Sequence, residues 1–437
     1  MAALMDTRIL IRKIQDLRAL TPRRNRVKTK WAGSLPKYPP TNLALQHFDA
    51  TYKLQLGREW PSVRASMLCE QKYGALVNNF ATTEGFMAHL QSQGCQDFVS
   101  CTVREGAQER LQTAASTHGN TSSLESVVDD QDIVPSGLSP NIKCLVFPRG
   151  DISRFKPSRP DKYGLLGYYL MDAASILPAL ALDVQEGHTV LDLCAAPGGK
   201  ALALLQTQAI RVYQIYMRYE PFTSLQFCPI NYSVKLLFLM WFLFVKYCFS
   251  GFLCVNDISA SRTLRLRRVL DRYVPKGLLA GDKLRITSFD GRKWGEIERD
   301  TFDRVLVDVP CTTDRHSVME EENNIFNRAR TKERQRLPQL QLELLLAGIQ
   351  AACPGGVVLY STCSLSQLQN WYVVDRAIHL AREELGISLQ VADLRPLTQL
   401  FKDTFNFAPD LNLGQLVLPH LTANFGPIYM CKLQRLN

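Results

Sequence analysis

The sequence predicts a Rossmann-like α/β fold, with a mainly parallel sheet that follows a helical N-terminal extension. Short apolar runs at 189–194, 284–287, 305–309 and 357–361 alternate with helical stretches. This alternation is typical of parallel strands joined by crossover helices. The first run leads directly into a Gly-rich turn and a predicted helix over 201–206. Two final runs, 414–418 and 428–433, predict a closing antiparallel pair.

The composition indicates a globular protein with a polyanionic partner. The chain has 437 residues, 46% of them hydrophobic, and a formal net charge of +10. An excess of Lys and Arg favours contact with phosphates, although many basic proteins bind no nucleic acid. The 12 Cys residues form no CxxC pair and no HExxH is present, which argues against a metal cage. Reduced thiols inside the cell are the better interpretation.

The N-terminal half divides into segments of different composition. Residues 1–40 hold ten Lys or Arg and two acids, which is typical of a mitochondrial transit segment, the alternative being a basic RNA-contacting arm. Residues 41–104 are predicted to be helical, and residues 105–140 to be a disordered linker. A helix is predicted over 168–182 at the start of the main domain, 141–437. The expected core of the helical region comprises Trp60, Met67, Leu68, Tyr73, Leu76 and Phe80.

One stretch does not fit the predicted sheet. Residues 209–250 contain a run of apolar residues at 236–245. This run is too short to span a bilayer, which needs roughly 20 residues. A crossing here would also put the next strand on the wrong side of the membrane from its partner strand, so a membrane anchor is rejected. The hypothesis is an atypical insertion in a surface crossover, with the composition that translation of a pyrimidine-rich intron end would produce.

The turn after the first strand predicts a cofactor site. Residues 190–200 form a strand, a turn with Gly198 and Gly199, and the start of a helix, whose free amides can face a ligand. Neither GxGxxG nor a P-loop is present, which favours S-adenosylmethionine over a pyrophosphate. Asp257 ends the second strand, where an acid binds ribose hydroxyls, and Asp290 ends the third, near the adenine amino group. A solvated loop acid is the alternative for each.

Two cysteines follow the next two strands. Cys311 lies in a Pro-Cys loop after the fourth strand, and Cys363 ends the fifth in a Ser-Thr-Cys sequence. A thiolate that adds to carbon 6 of cytosine makes carbon 5 nucleophilic, and a second group then assists release. Lys200 or Arg262 could supply the positive charge that favours a thiolate, and Asp308 could bind the cytosine amino edge.

The remaining chemistry-bearing residues have plainer interpretations. Cys69, Cys144, Cys353 and Cys431 are expected to be small buried residues, and Cys194 is expected to be mainly structural. A basic run at 328–336 contains Arg328, Arg330, Lys332, Arg334 and Arg336. It predicts phosphate contacts near the target base, the alternative being a solvated helix face.

These motifs resemble the Nop/Sun-domain RNA cytosine-5 methyltransferase family, which has a class I S-adenosylmethionine methyltransferase fold. The matching stretches are 192–200, 308–311 and 360–364. The resemblance implies that Cys363 is the nucleophile and that Cys311 assists product release. It further implies that S-adenosylmethionine is bound by Cys194, Ala195, Ala196, Pro197, Gly198, Gly199, Lys200, Asp257, Asp290 and Asp308, and less surely by Arg262 and Gly291.

Four more stretches, 43–49, 70–80, 149–155 and 314–317, resemble the branch of this family that acts on mitochondrial small-subunit ribosomal RNA. That branch implies a location in the mitochondrial matrix, a role in mitoribosome assembly and a protein partner from the mitochondrial transcription termination factor family. Two departures are the insertion at 209–250 and Gln369-Asn370-Trp371, where many relatives have Glu-Asn-Glu.

The sequence leaves two rival functions open. One is a non-catalytic RNA-binding assembly factor on a methyltransferase fold, against which both thiols and all three acids argue. The other is a DNA cytosine methyltransferase, whose nucleophile usually comes from the Pro-Cys loop. The Ser-Thr-Cys thiol at Cys363 favours RNA.

Overall fold

The computed structural model describes residues 38–437 except 83, 101–138, 140, 210–250 and 410. The predicted transit segment (1–40), linker (105–140) and insertion (209–250) therefore lie almost entirely outside the described residues.

The main element bounds follow in chain order. The helices are α1 (Pro40–Leu56), α2 (Trp60–Leu68), α3 (Glu84–Ser92), α4 (Leu177–Leu182), α5 (Gly199–Gln206), α6 (Ala260–Tyr273), α7 (Lys276–Leu279), α8 (Trp294–Ile297), α9 (Asp314–Met319), α10 (Thr331–Ala351), α11 (Trp371–Glu384) and α12 (Arg395–Leu400). The strands are β1 (Gly74–Val77), β2 (Gln96–Asp97), β3 (Cys144–Val146), β4 (Tyr168–Met171), β5 (Thr189–Asp192), β6 (Phe252–Asn256), β7 (Leu284–Thr287), β8 (Phe302–Asp308), β9 (Ala352–Thr362), β10 (Leu389–Val391), β11 (Gln415–Val417) and β12 (Ile428–Arg435).

The large sheet has the strand order β10-β12-β9-β8-β5-β6-β7, with β11 paired to β12. Strands β5 to β9 are parallel to their neighbours in this group, whereas β12 is antiparallel to β9, β10 and β11. The predicted parallel sheet and closing antiparallel pair are confirmed. Because β5 has β6 on one side and β8 on the other, the chain changes direction across the sheet here. Ligands of open α/β sheets bind at such a point, beyond the carboxyl ends of the strands.

Both faces of this sheet are covered. Leu306 and Leu359 belong to one hydrophobic core, with the apolar residues of α4, α5 and α6. Val305, Val307 and Val358 belong to a second core, with side chains of α1 and α10. Successive strand residues point to opposite faces, so strands buried on both sides have near-continuous apolar sequences. This explains why the runs in the sequence predicted the strands correctly.

The N-terminal region is only partly helical. Helices α1 and α2 agree with the prediction for 41–104, but the same region contributes β1 and β2 to an antiparallel sheet of order β2-β3-β1-β4. The helix predicted over 168–182 is also wrong at its start, because Tyr168–Met171 pairs with Gly74–Val77 as strand β4. Only Leu177–Leu182 is α-helical. Both segments contain strands because they pair with strands that are distant in sequence. The local periodicity of apolar residues carries no information about such pairing.

The predicted N-terminal core needs two corrections. Trp60, Met67 and Leu76 are buried as expected. Leu68 and Tyr73 are instead 39% and 49% exposed. Leu68 ends α2 and Tyr73 precedes β1, so no described helix or strand covers either side chain. Tyr73 lines a cavity described below.

Candidate active site

The two predicted cysteines lie side by side. Cys311 follows β8 and Cys363 follows β9, and these strands are parallel neighbours with Asp308 opposite Ser361. Their Sγ atoms are 3.2 Å apart, within hydrogen-bond distance, and both thiols are free. Cys311 is 9% exposed, and Cys363 is partly buried. The register of two neighbouring strands therefore brings together thiols that are 52 residues apart in the chain.

Lys200 supplies the positive charge at the thiols. Its Nζ donates a hydrogen bond of 2.8 Å to Asp308 Oδ2, and Ser361 Oγ donates one of 2.7 Å to Asp308 Oδ1. Burial alone would lower the pKa of Lys200, but the adjacent Asp308 carboxylate raises it, so the ammonium stays charged. Arg262, the alternative source of charge, points elsewhere and donates to the Ala196 carbonyl at 2.9 Å.

The environment of Cys363 favours the neutral thiol. The hydrogen bond with Cys311, followed by burial, raises the pKa of Cys363 well above its ordinary value, and Lys200 opposes the rise. A thiol is a poor nucleophile compared with a thiolate. A nucleophilic role for Cys363 would therefore require loss of the thiol proton, which the charge of Lys200 favours.

A cleft of about 740 Å³ opens at the ends of β5, β6 and β7. This volume falls within the roughly 300–1,000 Å³ usual for small-molecule sites. Its lining includes five of the predicted cofactor residues: Cys194, Asp257, Arg262, Asp290 and Gly291. Ile258, which is 61% exposed, adds an apolar surface to the same cleft. The cleft thus combines apolar walls with a few convergent polar groups.

Asp257 offers an acceptor to a ligand in this cleft. The residue is 2% exposed, and its Oδ1 accepts a hydrogen bond from Ser259 N at 3.0 Å. Its Oδ2 is buried with no hydrogen-bond partner among the described residues, although Arg262 Nη2 lies 3.2 Å away. A buried acceptor without a donor is costly, so a ligand hydroxyl placed here would satisfy it. This geometry fits the ribose role predicted for Asp257.

Asp290 is already engaged. Arg292 Nη2 lies 2.6 Å from Asp290 Oδ2, and the Arg292 backbone N–H also donates to Oδ1. The hydrogen bonds from Arg292 hold the pKa of the Asp290 carboxyl below its usual range. Arg292 Nε donates to both oxygens as well, so each oxygen of Asp290 already accepts two hydrogen bonds, and a ligand amino group would have to replace one of them.

Sequence reasoning missed Asp192, the last residue of β5. It is fully buried, and neither carboxylate oxygen has a hydrogen-bond partner of standard geometry among the described residues, although the Cys194 backbone N–H is near enough to oppose the rise in its pKa. Burial, followed by the nearby Asp308 carboxylate, raises the pKa of Asp192 to about 8, and Lys200 opposes this. An unpaired buried acid at the carboxyl end of a central strand is suited to hold a cationic ligand group. The signal in the sequence was a charged residue ending an otherwise apolar run.

The glycine turn is explained by packing. Gly198 has a φ of 122°, which L side chains rarely adopt, and a Cβ there would come within 3.0 Å of Leu266. A Cβ at Gly199 would come within 3.2 Å of Tyr169 and Met171. A side chain at Gly198 would therefore be strained by the backbone conformation, and one at Gly199 would require Tyr169 or Met171 to shift by a few tenths of an ångström.

A second cavity of about 650 Å³ borders Cys363. Its lining includes Tyr73, Asp172, Arg315 and His316. Arg315 is held in place because it donates to the carbonyls of Ser66, Cys69 and Gly426 and to the Asn424 side chain. The cavity that borders the predicted nucleophile is therefore lined by a fixed guanidinium and by the partly exposed Tyr73.

The basic run at 328–336 makes several internal contacts. Arg330 forms an ion pair of 2.6 Å with Glu333, and the Arg334 guanidinium lies 4.5 Å from the centre of the Phe326 ring. Arg336 lines the 740 Å³ cleft rather than the cavity beside Cys363. The ion pair of Arg330 with Glu333 favours the alternative interpretation, a solvated helix face, for Arg330, whereas Arg334 packs on an aromatic ring.

The other cysteines divide by exposure. Cys144 and Cys431 are buried as predicted, whereas Cys353 is partly exposed and Cys69 is exposed. The prediction was therefore wrong for Cys69, which follows the end of α2. In the part of the chain that the structure describes, no group of three or more His, Cys, Asp or Glu residues is arranged to hold a metal ion. Within the same residues, no helix has the length and apolar character needed to cross a membrane.

Comparison with known proteins identifies the family. The chain is 49% identical over 435 residues to 5-cytosine rRNA methyltransferase NSUN4 of Bos taurus, covering 98% of this chain and 99% of the relative. It is 50% identical over 428 residues to the Mus musculus protein of the same name, covering 98% of each. The chain belongs to the NSUN4 family of 5-cytosine rRNA methyltransferases. A family model for the 16S rRNA methyltransferase RsmB/F also matches residues 248–433, which contain Asp257, Asp290, Asp308 and both predicted catalytic cysteines.

Solved structures support the fold of this NSUN4 family member. NSun6 from Pyrococcus horikoshii, solved with SFG, has a TM-score of 0.52 at 16% identity, covering 90% of this chain and 98% of that one. A methyltransferase homolog protein from the same organism has a TM-score of 0.50 at 19% identity, covering 91% and 98%. At these identities the likeness shows the methyltransferase fold alone.

Proposed function

We propose that this protein methylates carbon 5 of a cytosine in ribosomal RNA, with Cys363 as nucleophile, Cys311 as the group that assists release, and S-adenosylmethionine as methyl donor. The observation that supports this most directly is the contact of 3.2 Å between the two Sγ atoms. Cytosine carbon 5 is not nucleophilic, so its methylation needs covalent activation, and two adjacent thiols provide an attacking and a releasing group.

The described residues fit S-adenosylmethionine. The unsatisfied Asp257 Oδ2 suits a ribose hydroxyl, and the unpaired Asp192 carboxylate suits the ammonium of the methionine part. Cys194, Asp290 and Gly291 would line the remaining cleft. Residues 195–200 lead from Asp192 toward the cysteines. The last of them, Lys200, donates a hydrogen bond to Asp308. S-adenosylmethionine, when bound, supplies an electrophilic methyl group.

Different residues of the chain act in the successive steps of cytosine methylation. The Cys363 thiol loses its proton to water, and its thiolate forms a bond to carbon 6 while the electrons of the C5–C6 double bond move to carbon 5. Lys200 stabilises the thiolate, and Asp308 accepts a hydrogen bond from the cytosine amino group. Carbon 5 then takes the methyl group, and the electron pair of the broken methyl–sulfur bond stays with the sulfur of the donor. Cys311 next loses its own proton to water, and its thiolate removes the carbon 5 proton. The double bond re-forms, and the C6–S bond breaks with its electron pair returning to Cys363.

We further propose small-subunit ribosomal RNA as substrate, the mitochondrial matrix as location and mitoribosome assembly as role. The names of the NSUN4 relatives support an rRNA substrate. A Danio rerio relative, 31% identical over 410 residues, is named a mitochondrial tRNA (cytosine(34)-C(5))-methyltransferase, which is consistent with a mitochondrial location. The basic segment at 1–40 is consistent with it too. A partner from the mitochondrial transcription termination factor family is part of the same proposal.

Transfer of labelled methyl groups to defined transcripts tests the substrate. We expect the protein to methylate mitochondrial small-subunit ribosomal RNA at a single cytosine, at a rate at least about tenfold above that for mitochondrial tRNA transcripts. The control is Cys363→Ala protein, which should transfer no label. Preference for tRNA would contradict the rRNA assignment. A Cys363→Ala protein that retained all activity and cellular function would favour the non-catalytic assembly factor.

The rate of methylation should depend on Lys200 and on pH. We expect the single-turnover rate of the unmodified protein to rise with pH between 6.5 and 9.5, because Cys363 acts as thiolate and its pKa lies above the ordinary value. Lys200→Met removes the charge that opposes this rise, so the profile should move to higher pH by roughly one unit. Saturating S-adenosylmethionine separates this effect from cofactor affinity.

Lys200→Arg is the matched control, since it keeps the charge and should keep most of the pH profile. If Lys200→Met lowered the rate equally at every pH, its role would be restricted to binding and orientation.

A further inference from the structure

A buried carboxylate lies directly behind the two cysteines. Asp314, the first residue of α9, is fully buried. Its Oδ1 accepts hydrogen bonds from Thr312 Oγ1 at 2.5 Å and from Ser364 Oγ at 3.1 Å. Its Oδ2 accepts from Leu365 N at 2.7 Å. Thr312 and Ser364 are the residues that immediately follow Cys311 and Cys363, so one side chain joins both cysteine loops.

The join is reinforced on either side of the carboxylate. Thr312 Oγ1 and Ser364 Oγ are 2.8 Å apart, and the Asp314 backbone N–H donates to the Cys363 carbonyl at 3.2 Å. Gln369 Oε1 accepts from Thr312 N at 3.1 Å, and its Nε2 donates to Thr312 Oγ1 at 3.0 Å. A neutral amide at 369 avoids placing a second carboxylate beside Asp314, where two buried like charges would repel.

The N-terminal region also takes part. Tyr52, on α1, donates a hydrogen bond of 2.7 Å from its hydroxyl to Asp314 Oδ2. Its ring is buried, stacks on Phe48 at 4.8 Å and meets Trp60 edge-on at 5.6 Å. A helix more than 250 residues away in the chain thus reaches the loops behind the thiols. Such a fixed donor restricts Asp314 to one position.

We propose that Asp314, held by Tyr52, is a positioning residue that keeps the Cys311 and Cys363 thiols in contact, so that release of the methylated base keeps pace with its formation. The inference rests on the proposed covalent function. Asp314 lies two residues beyond Thr312 and contacts the cysteines through the residues that follow them, so it acts through these residues rather than on the RNA. Without it, Cys363 still adds to cytosine, but Cys311 no longer lies where the carbon 5 proton leaves.

Asp314→Asn and Tyr52→Phe test this arrangement. Asp314→Asn removes the charge and replaces one acceptor oxygen with an NH2 group, so either the Leu365 N–H and Tyr52 hydroxyl or the Thr312 and Ser364 hydroxyls lose the acceptor to which they now donate. Tyr52→Phe removes one hydrogen bond while keeping the ring. With small-subunit ribosomal RNA and S-adenosylmethionine, we expect both variants to accumulate protein–RNA adduct on a denaturing gel, at least about tenfold above the unmodified protein. Adding Cys363→Ala should abolish the adduct. Matched controls at exposed sites are Asp393→Asn and Tyr372→Phe.

Gain of adduct separates positioning from instability, because a merely destabilised protein loses adduct and turnover together. Parallel loss of both, or no change in either, would overturn the proposal. Cys311→Ala serves as the reference: if it traps no adduct on any RNA, the proposed function itself fails.

A second measurement uses no RNA, so it tests the relative position of the two thiols independently of catalysis. Diamide oxidises two neighbouring thiols to a disulfide and takes up their two hydrogens as it becomes the hydrazine. Peptide mapping should find the Cys311–Cys363 disulfide forming several-fold more slowly in Asp314→Asn than in the unmodified protein or Asp393→Asn. An equal rate would show that Asp314 does not hold the thiols together.

Discussion

Replacing Cys311 with alanine is expected to turn a transient covalent complex into a stable protein–RNA adduct. In the proposed mechanism the Cys363 thiol remains able to attack carbon 6, but Cys311, which lies 3.2 Å from it and is proposed to assist release, is gone. We expect the adduct fraction to exceed that of the unmodified protein by about tenfold or more. A denaturing gel with mitochondrial small-subunit ribosomal RNA and S-adenosylmethionine measures it directly.

Cys363→Ala is the counterpart, with no adduct and a methylation rate reduced by about a thousandfold or more. The double variant Cys311→Ala/Cys363→Ala should likewise form none. An adduct in Cys363→Ala but not in Cys311→Ala would mean that Cys311 is the nucleophile and that Cys363 assists release. Adduct that depends on neither cysteine would sink the two-thiol mechanism.

Asp192→Asn is expected to change stability and cofactor binding in opposite directions. At pH 8 the cofactor-free variant should melt about 5 °C above the unmodified protein, because a buried unpaired acid is replaced by a neutral group. Stabilisation by S-adenosylmethionine should largely disappear, because the carboxylate proposed to face the ammonium is lost. Thermal melts with and without S-adenosylmethionine, and binding calorimetry, measure both effects.

The free energy of unfolding of the cofactor-free protein is expected to fall as the pH rises. In the unfolded chain an Asp has a pKa of about 3.9, whereas burial raises that of Asp192 to about 8 in the folded protein. Between these values the folded state binds more protons than the unfolded state, so the free energy of unfolding falls as pH rises. We expect this fall from about pH 4 to about pH 8 in the cofactor-free protein. It should be smaller in Asp192→Asn and unchanged in Asp282→Asn, whose side chain is exposed.

Identical melting profiles for Asp192→Asn and the unmodified protein would show that Asp192 ionises normally. If S-adenosylmethionine stabilised both proteins equally, Asp192 would have no place in the cofactor site.

The parallel sheet and its ligand-binding edge were predictable because their signals are local. Strands buried on both faces must be apolar throughout, so β5, β8 and β9 appear as short apolar runs. Chemistry-bearing residues that follow such runs share one edge of the sheet, which is why Asp257, Cys311 and Cys363 could be selected from their positions alone.

The antiparallel sheet of the N-terminal region was not predictable in the same way. Tyr168–Met171 has a sequence that suits a helix or a strand, and its pairing with Gly74–Val77 decides the outcome. The partner lies about 90 residues away, so no window of sequence contains the signal. The exposed Tyr73 was misjudged for the same reason, since burial depends on which elements pack above a residue.

By itself, the sequence determined the kind of fold, the two thiols and most of the acids around the cofactor cleft, because spacing along the chain dictates which residues end neighbouring strands. Only the tertiary structure decided that Lys200, and not Arg262, acts on the Cys363 thiol, and that the Asp192 carboxylate has no hydrogen-bond partner of standard geometry among the described residues. It also decided that Tyr52 reaches Asp314 behind the cysteine loops. These are distances between side chains on elements far apart in sequence, and such distances exist only once those elements have packed.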